Sequence, residues 1–121
     1  MAKQEYPLQQ LSHFLPEGTF EMVANYLHHY KVHLTITRER KTVLGDYRHA
    51  HRGLNHRISV NGNLNPYAFL ITLVHELAHL VTFERFGHRV AAHGKEWKDL
   101  YRLLLQEFLG KQLFPADVEA A

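Results

Sequence analysis

The chain has 121 residues, of which 45% are hydrophobic and 21% charged. This balance is typical of one soluble globular domain that folds without covalent cross-links. It contains no cysteine, which excludes disulfides, cysteine zinc ribbons and a thiol nucleophile within these residues and fits a reducing compartment. Residues 1–11 lack the apolar core of a signal peptide, and no uninterrupted apolar run reaches the roughly 18 residues of a membrane span. With no repeat or linker visible, we expect a single cytoplasmic domain over residues 1–121, with its core at about 19–109.

The net charge of +2 is unevenly distributed. Residues 31–57 carry seven basic and two acidic side chains, a net charge of +5, and four histidines lie in the same block. Clustered positive charge attracts nucleic acid, so this basic block is a candidate region for DNA contact. A solvated strand face is the simpler interpretation, and the charge pattern leaves both open.

The first half of the chain predicts a short turn or helix ending at Pro16, then a helix, then strands. Apolar residues recur at three- and four-residue spacing from Thr19, a candidate N-cap, to about Tyr30, which predicts a helix. Strand signals with β-type alternation or turn-bounded apolar runs follow over residues 32–37, 43–50 and 57–60.

The second half predicts two longer helices. Asn65 and Pro66 form a helix start signal, and the helical pattern continues until Gly87 stops it. A loop then leads to a last helix over residues 94–109, closed by Gly110. The element order predicts an α+β fold in which three main helices pack with a small three-stranded sheet, antiparallel or mixed.

The segment His75-Glu76-Leu77-Ala78-His79 is an HExxH motif inside the first of these longer helices. Histidines four residues apart lie on one face of a helix and can bind one zinc ion together. Glu76 can reach a metal-bound water and act as a general base. HExxH also occurs by chance, and the alternative is a structural trio whose polar groups are satisfied by hydrogen bonds.

A zinc hydrolase needs a third protein ligand and one open position. Thr82 and Arg85 stand where an extended HExxHxxGxxH motif has glycine and histidine, so that class is excluded. His93 is favoured as the third ligand because the loop before it is long enough to fold the last helix back across the HExxH helix. The other downstream candidates are Glu96, His88 and Glu84.

Two segments together resemble the SprT-like metalloprotease domain, the family that includes the Spartan DNA–protein crosslink proteases. Val74–His79 is similar to the family's HExxH segment, and Ala92–Trp97 is similar to its later H-G-x-x-[FW] segment. Leu44–Tyr47 and Ile58–Asn61 resemble the two strands before its active helix. The resemblance covers about residues 19–109.

This resemblance implies a zincin-like fold, a Zn²⁺ cofactor held by His75, His79 and His93, and Glu76 as the catalytic base. It implies a zinc-dependent endopeptidase that acts on a protein or peptide substrate, with DNA-associated or DNA-crosslinked proteins as candidates. Many SprT-like proteins carry a cysteine zinc ribbon, which this chain lacks, and that weakens the expectation of DNA contact through such a ribbon.

Several roles stay open at the level of sequence. Candidates for an additional electrophile that would stabilise the oxyanion are His88, Tyr47 and Tyr101. For Tyr101, and for Trp97 as a substrate contact, core packing is the simpler interpretation. In a zincin-like arrangement the substrate strand would add to the strand over residues 43–50, where Gly45 either admits a peptide backbone or marks a bulge. Two alternatives to an enzyme are a nucleic-acid-binding module with a structural metal and a protein-interaction domain with a dead site. The presence of Glu76 disfavours the last of these.

Overall fold

A computed structural model describes residues 3–4 and 8–109 and shows an α+β architecture. The helices are α1 (Phe20–His29), α2 (Pro66–Phe86) and α3 (Lys95–Leu109). The strands are β1 (Lys3–Gln4), β2 (His33–Thr37), β3 (Gly45–Arg48) and β4 (Arg57–Asn61). Short 3-10 segments, Leu8–Phe14 and Gly87–Arg89, precede α1 and follow α2. The predicted closure of α3 by Gly110 lies outside the described residues.

The strands form one mixed sheet in the order β1-β2-β4-β3. β2 and β4 are parallel, with His33 opposite Arg57, whereas β3 and β4 are antiparallel, with Gly45 opposite Val60. All three predicted strands are present, although β3 is shorter than the predicted segment. The prediction of three strands missed β1, whose two residues pair with the end of β2. Within the described part of the chain, β3 is an edge strand.

Local signals set the ends of α2 as the sequence predicts. The Asn65 side chain accepts a hydrogen bond from the Ala68 amide at 2.9 Å, and Pro66 occupies the first turn. Gly87 adopts a φ of +61°, and its amide donates to the Phe83 carbonyl.

Thr19 stands at the predicted N-cap position of α1, but the predicted side-chain cap is wrong. Thr19 precedes the helix, but its hydroxyl donates to the Pro16 carbonyl at 2.7 Å and does not cap the helix. The hydroxyl therefore stabilises the turn before α1 and leaves the first amides of the helix without a side-chain acceptor.

α2 is the central element of the core and packs against β3, β4 and α3. Apolar side chains occur on every side of it, as expected for a buried helix. By length and composition residues 66–89 would also suffice to cross a membrane, but more than half of the segment is buried inside this fold. The buried apolar residues of α2 are Phe69, Leu70, Leu73, Val74, Leu77, Ala78, Leu80 and Val81.

Candidate metal centre

His75 and His79 lie on one face in the middle of α2, one helical turn apart. Their ring centroids are 5.1 Å apart, and both side chains are half-buried at the surface of an otherwise apolar helix. Because the flanking residues Val74, Leu77 and Ala78 are fixed in the core, the helix holds both imidazoles in a defined direction.

His93 reaches the same point from the turn that begins α3. Its backbone has a φ of +60°, a left-handed conformation that is uncommon for residues other than glycine. The next residue, Gly94, donates its amide to the Ala91 carbonyl at 3.0 Å and closes the turn. A Cβ at Gly94 would lie only 3.0 Å from that carbonyl oxygen. This tight turn presents the His93 ring to α2.

The three imidazoles meet through their Nε2 atoms. The Nε2 atom of His93 lies 3.0 Å from Nε2 of His79 and 3.3 Å from Nε2 of His75. Tetrahedral zinc with Zn–N bonds of about 2.0–2.1 Å separates its ligand nitrogens by about 3.3–3.4 Å. The residues present therefore fit a metal ion of this kind, and the cluster could bind one.

The protonation state of the cluster also suits a metal. Burial, and then the nearby His75 and His93 rings, lower the pKa of His79 to about 4. Burial, and then His93, lower the pKa of His75 as well. Two of the three rings are therefore neutral at pH 7, the form in which imidazole binds a metal.

Trp97 supports the cluster from α3. Its indole stacks on His79 with 5.2 Å between centroids and contacts the rings of His75 and His93 at 4.8 Å each. The side chain is buried, which confirms the core interpretation of Trp97. Tyr101 also stacks on the indole, with 4.9 Å between centroids, and is partly buried against the core. These aromatic contacts restrict the orientations of the three histidine rings.

Glu76 is buried and lies against Gly45 of the edge strand. A Cβ at Gly45 would lie 2.7 Å from Cγ2 of Thr72, 3.1 Å from Oε2 of Glu76 and 3.1 Å from the carbonyl oxygen of Ser59. Burial, and then the nearby Asp46, raise the pKa of Glu76 to about 7, with Arg40 opposing the shift. The carboxyl group therefore exchanges a proton near neutral pH.

The same contacts explain why residue 45 is glycine. β3 and β4 pair without interruption from Gly45 opposite Val60 to Arg48 opposite Arg57, so the alternative that Gly45 marks a bulge is wrong. The space that a side chain would fill at this position is occupied by Thr72 and Glu76.

The other candidates for a third ligand lie elsewhere. Among the described residues, His75, His79 and His93 are the only group of three or more histidine, aspartate or glutamate side chains placed to hold a metal. Glu84 bonds to His56, His88 contacts the rings of Phe83 and His49, and Glu96 lies in the first turn of α3.

A buried hydrogen-bond network surrounds His56 and was not predicted from the sequence. Nδ1 of this ring accepts a hydrogen bond from the Ala50 amide at 3.1 Å, so Nε2 carries the proton and donates to Glu84 at 2.7 Å. The Tyr47 hydroxyl lies 2.9 Å from Nδ1 and is the donor in that contact. His56 alternates with the buried Ile58 and Val60, and this period of two was the available signal that it faces inward.

Only part of the basic block faces solvent. Arg40 donates to Oδ1 of Asn61 at 2.7 Å and to Oγ of Ser59 at 3.0 Å, and Nε of Arg57 is buried. The block therefore presents fewer exposed charges than the sequence suggested. The exposed basic residues of the block are Lys31, Arg38, Lys41, Arg48 and Arg52.

Fold and site together define a class: an α+β domain in which a central helix and the turn before the next helix bring together three histidines able to bind a metal ion. The chain belongs to the SprT-like family, whose model matches residues 8–118.

Individual relatives match over shorter segments. The chain is 60% identical over 35 residues to Protein SprT of Escherichia coli O1:K1 / APEC and of Erwinia tasmaniensis, which is 28% of this chain and 21% and 20% of those proteins. It is 51% identical over 43 residues to Protein SprT of Pectobacterium carotovorum subsp. carotovorum, which is 35% of this chain and 25% of that protein. The chain thus matches a quarter or less of the length of each of these relatives. No solved structure matches the chain.

Proposed function

We propose that this protein is a zinc-dependent endopeptidase of zincin-like fold, in which His75, His79 and His93 hold Zn²⁺ and Glu76 is the general base. The main observation behind this proposal is that three imidazole ligand atoms converge at one point. Glu76, the neighbour of His75 in the HExxH motif, is buried in the same helix. Membership of the SprT-like family supports the same function.

The chemistry divides between the metal and the chain. Bound zinc polarises the scissile carbonyl and lowers the pKa of water toward neutrality. Glu76 accepts the proton of the attacking water and passes it to the leaving amine. In the metal-free protein burial is the main cause that raises the pKa of Glu76, and a carboxylate withdrawn from water in this way is a stronger base than an exposed one.

We expect the substrate backbone to bind along the edge strand β3. β3 pairs with β4 on one side, and within the described residues no strand pairs with its other side. An extended peptide can add to such an edge through main-chain hydrogen bonds. Gly45 begins β3 beside Glu76, so a peptide on this edge would pass close to the proposed base.

The proposal is tested by measuring casein cleavage and zinc content for the parent and for Glu76→Gln. The variant should retain stoichiometric zinc and lose cleavage by a factor of about 100 or more, since a general base contributes on that scale. Glu96→Gln is the matched control: it alters a carboxylate outside the histidine cluster and should cleave at the parental rate. If Glu76→Gln cleaved casein as fast as the parent, Glu76 would not be the general base.

A second candidate function is nucleic-acid binding with a structural metal, favoured by the five exposed basic residues of the basic block. If the protein both binds DNA and cleaves proteins, its substrates are DNA-associated proteins. Phosphate contacts weaken steeply as salt rises. A fluorescent DNA duplex should therefore bind at low salt, and a combined Arg38→Ala, Lys41→Ala and Arg52→Ala variant should bind less tightly. Absence of binding at low salt would dispose of this candidate.

A further inference from the structure

We infer that His49, His51 and His88 form a second metal site, which takes a divalent transition-metal ion of the Ni²⁺ or Cu²⁺ kind. None of these histidines belongs to the metal centre described above. His49 directly follows β3, His51 lies in the loop between β3 and β4, and His88 lies in the 3-10 segment after α2. An ion held by all three rings would therefore join two segments that are far apart in the chain.

The rings of this second histidine cluster are spaced much like those of the metal centre. The His49 ring contacts the His88 ring at 5.0 Å between centroids and the His51 ring at 5.5 Å. In the metal centre the three corresponding distances are 4.6, 5.1 and 5.3 Å. The ligand nitrogens of the second cluster do not all lie within 4.8 Å of one another, as those of the metal centre do. An ion must therefore draw the rings together by rotation of their side chains.

His49 is the fixed ligand of the second cluster. Its ring stacks on Phe83 with 4.4 Å between centroids and an angle of 14° between the planes. Nδ1 of His49 lies 3.1 Å from the carbonyl oxygen of Ala50. Because a carbonyl only accepts, Nδ1 carries the proton and Nε2 offers its lone pair. A hydrogen bond of this kind from the far nitrogen typically orients a histidine that binds a metal.

The other two ligands combine a held backbone with an exposed ring. The backbone of His51 exchanges two hydrogen bonds with that of Leu54, at 2.8 and 3.1 Å. Beside His88, the Arg89 guanidinium donates to two carbonyls at the end of α2, at 2.8 and 3.3 Å. Both histidine side chains are exposed, so they can change rotamer toward His49 without disturbing the core.

The chemistry of the cluster selects the ion. Imidazole suits Zn²⁺, Ni²⁺ and Cu²⁺, whereas Mg²⁺ and Ca²⁺ prefer oxygen ligands. Since His51 and His88 are exposed, water completes the coordination shell. Nitrogen and oxygen ligands in a tetragonal arrangement are typical of Ni²⁺ and Cu²⁺, whereas Zn²⁺ prefers four tetrahedral ligands.

The second site should bind its ion more weakly than the metal centre binds zinc. Exposed rings lose rotational freedom when an ion orders them, whereas the Nε2 atoms of the metal centre already lie close together. We expect a dissociation constant at least about a hundredfold higher than that of the metal centre. One equivalent of zinc therefore occupies the metal centre and leaves the second cluster free.

Calorimetric titration of the zinc-loaded protein with Ni²⁺ tests the second site. The parent should bind one further ion saturably, and His49→Ala and His88→Ala should each weaken that binding at least about tenfold, because each removes a metal–nitrogen bond. His13→Ala is the matched control: it removes an exposed histidine before α1 and should bind Ni²⁺ as the parent does. Equal affinities in all four proteins would mean adventitious binding by surface histidines and would overturn the inference.

A second measurement separates this site from the metal centre and does not depend on peptidase activity. Cu²⁺ is paramagnetic and broadens the NMR signals of nearby protons. Substoichiometric Cu²⁺ should broaden the ring signals of His49 and His88 while those of His13 stay sharp. The same pattern should persist in His93→Ala, which lacks one ligand of the metal centre, so the second site stands even if the proposed zinc enzyme fails. Broadening shared equally with His13, or absent at His49, would overturn the second site.

Discussion

Nε2 of His79 lies 3.0 Å from Nε2 of His93, although the two residues are 14 positions apart in the chain. α2 ends between them, and the chain reverses through a 3-10 segment and a turn with a left-handed residue before α3 begins. Trp97, one turn into α3, packs against both rings. The geometry of the histidine cluster therefore depends on how α3 docks on α2 as well as on the HExxH motif.

Removing the His93 ring should release the metal. We expect His93→Ala to weaken zinc binding by at least about a hundredfold, because two ligands on one helix cannot replace a three-ligand site. The measurement is a competition titration against a chromogenic zinc chelator. His88→Ala removes the other histidine of this loop and should bind zinc as the parent does. Equal affinities for the parent and His93→Ala would instead favour a ligand such as Glu96.

Burial of Glu76 should make the stability of the metal-free protein depend on pH. The pKa of this carboxyl is raised to about 7 in the folded state, so its favourable contribution is present below the unfolded pKa of 4.5 and is lost as the pH rises through 7. Glu76→Gln has no such ionisation. We expect it to be more stable than the parent at pH 8 by about 1–3 kcal/mol and close to it at pH 4.5. Urea unfolding of both chelator-treated proteins at pH 8 and at pH 4.5 measures the difference in their free energies of unfolding. An equal difference at the two pH values would refute the raised pKa of Glu76.

A side chain at Gly45 should displace the proposed base. Gly45→Ala puts a Cβ 2.7 Å from Cγ2 of Thr72 and 3.1 Å from Oε2 of Glu76, and overpacking of this kind costs about 1–3 kcal/mol. We expect lower stability and lower peptidase activity with retained zinc. Adding Thr72→Ser removes the closest methyl group and should restore stability more than activity, since the contact with Glu76 remains. A fully active Gly45→Ala protein would contradict the close packing of Glu76 against β3.

Loss of Glu84 should destabilise the protein, because its carboxylate is bonded to the buried His56, 28 positions earlier in the chain. Glu84→Ala deprives the buried Nε2–H group of His56 of its acceptor, which costs about 1–2 kcal/mol. Arg85→Ala, the next residue on the exposed side of α2, should change the free energy of unfolding little. Chemical denaturation of both variants at pH 7.5 gives the comparison. Equal stabilities would mean that the contact between Glu84 and His56 contributes nothing.

Signals contained in a few neighbouring residues predicted most of the fold. The Asn65 cap and Gly87 stop set the ends of α2, and alternation along residues 32–37 predicted β2, because these features depend on local backbone chemistry. Thr19 failed as a cap because a carbonyl three residues earlier accepts its hydroxyl. β1 escaped prediction because a strand of two residues has no periodicity and depends on its partner.

The site was predictable to the extent that its residues follow a spacing rule. Four-residue spacing predicted that His75 and His79 share a face, and the juxtaposition of His93 followed from loop length and from the resemblance. Their role as metal ligands, and that of Glu76 as base, stay predictions. No spacing rule connects Glu84 to His56 or Glu76 to Gly45, because these contacts arise only when α2 packs on the sheet.

Zinc binding by the three histidines can be measured in a crystal structure of the zinc-loaded protein, with diffraction data collected at the zinc absorption edge. We expect one anomalous peak about 2.0–2.1 Å from Nε2 of each of His75, His79 and His93. A map without a peak between those three rings, or with zinc bound by other residues, would contradict this expectation.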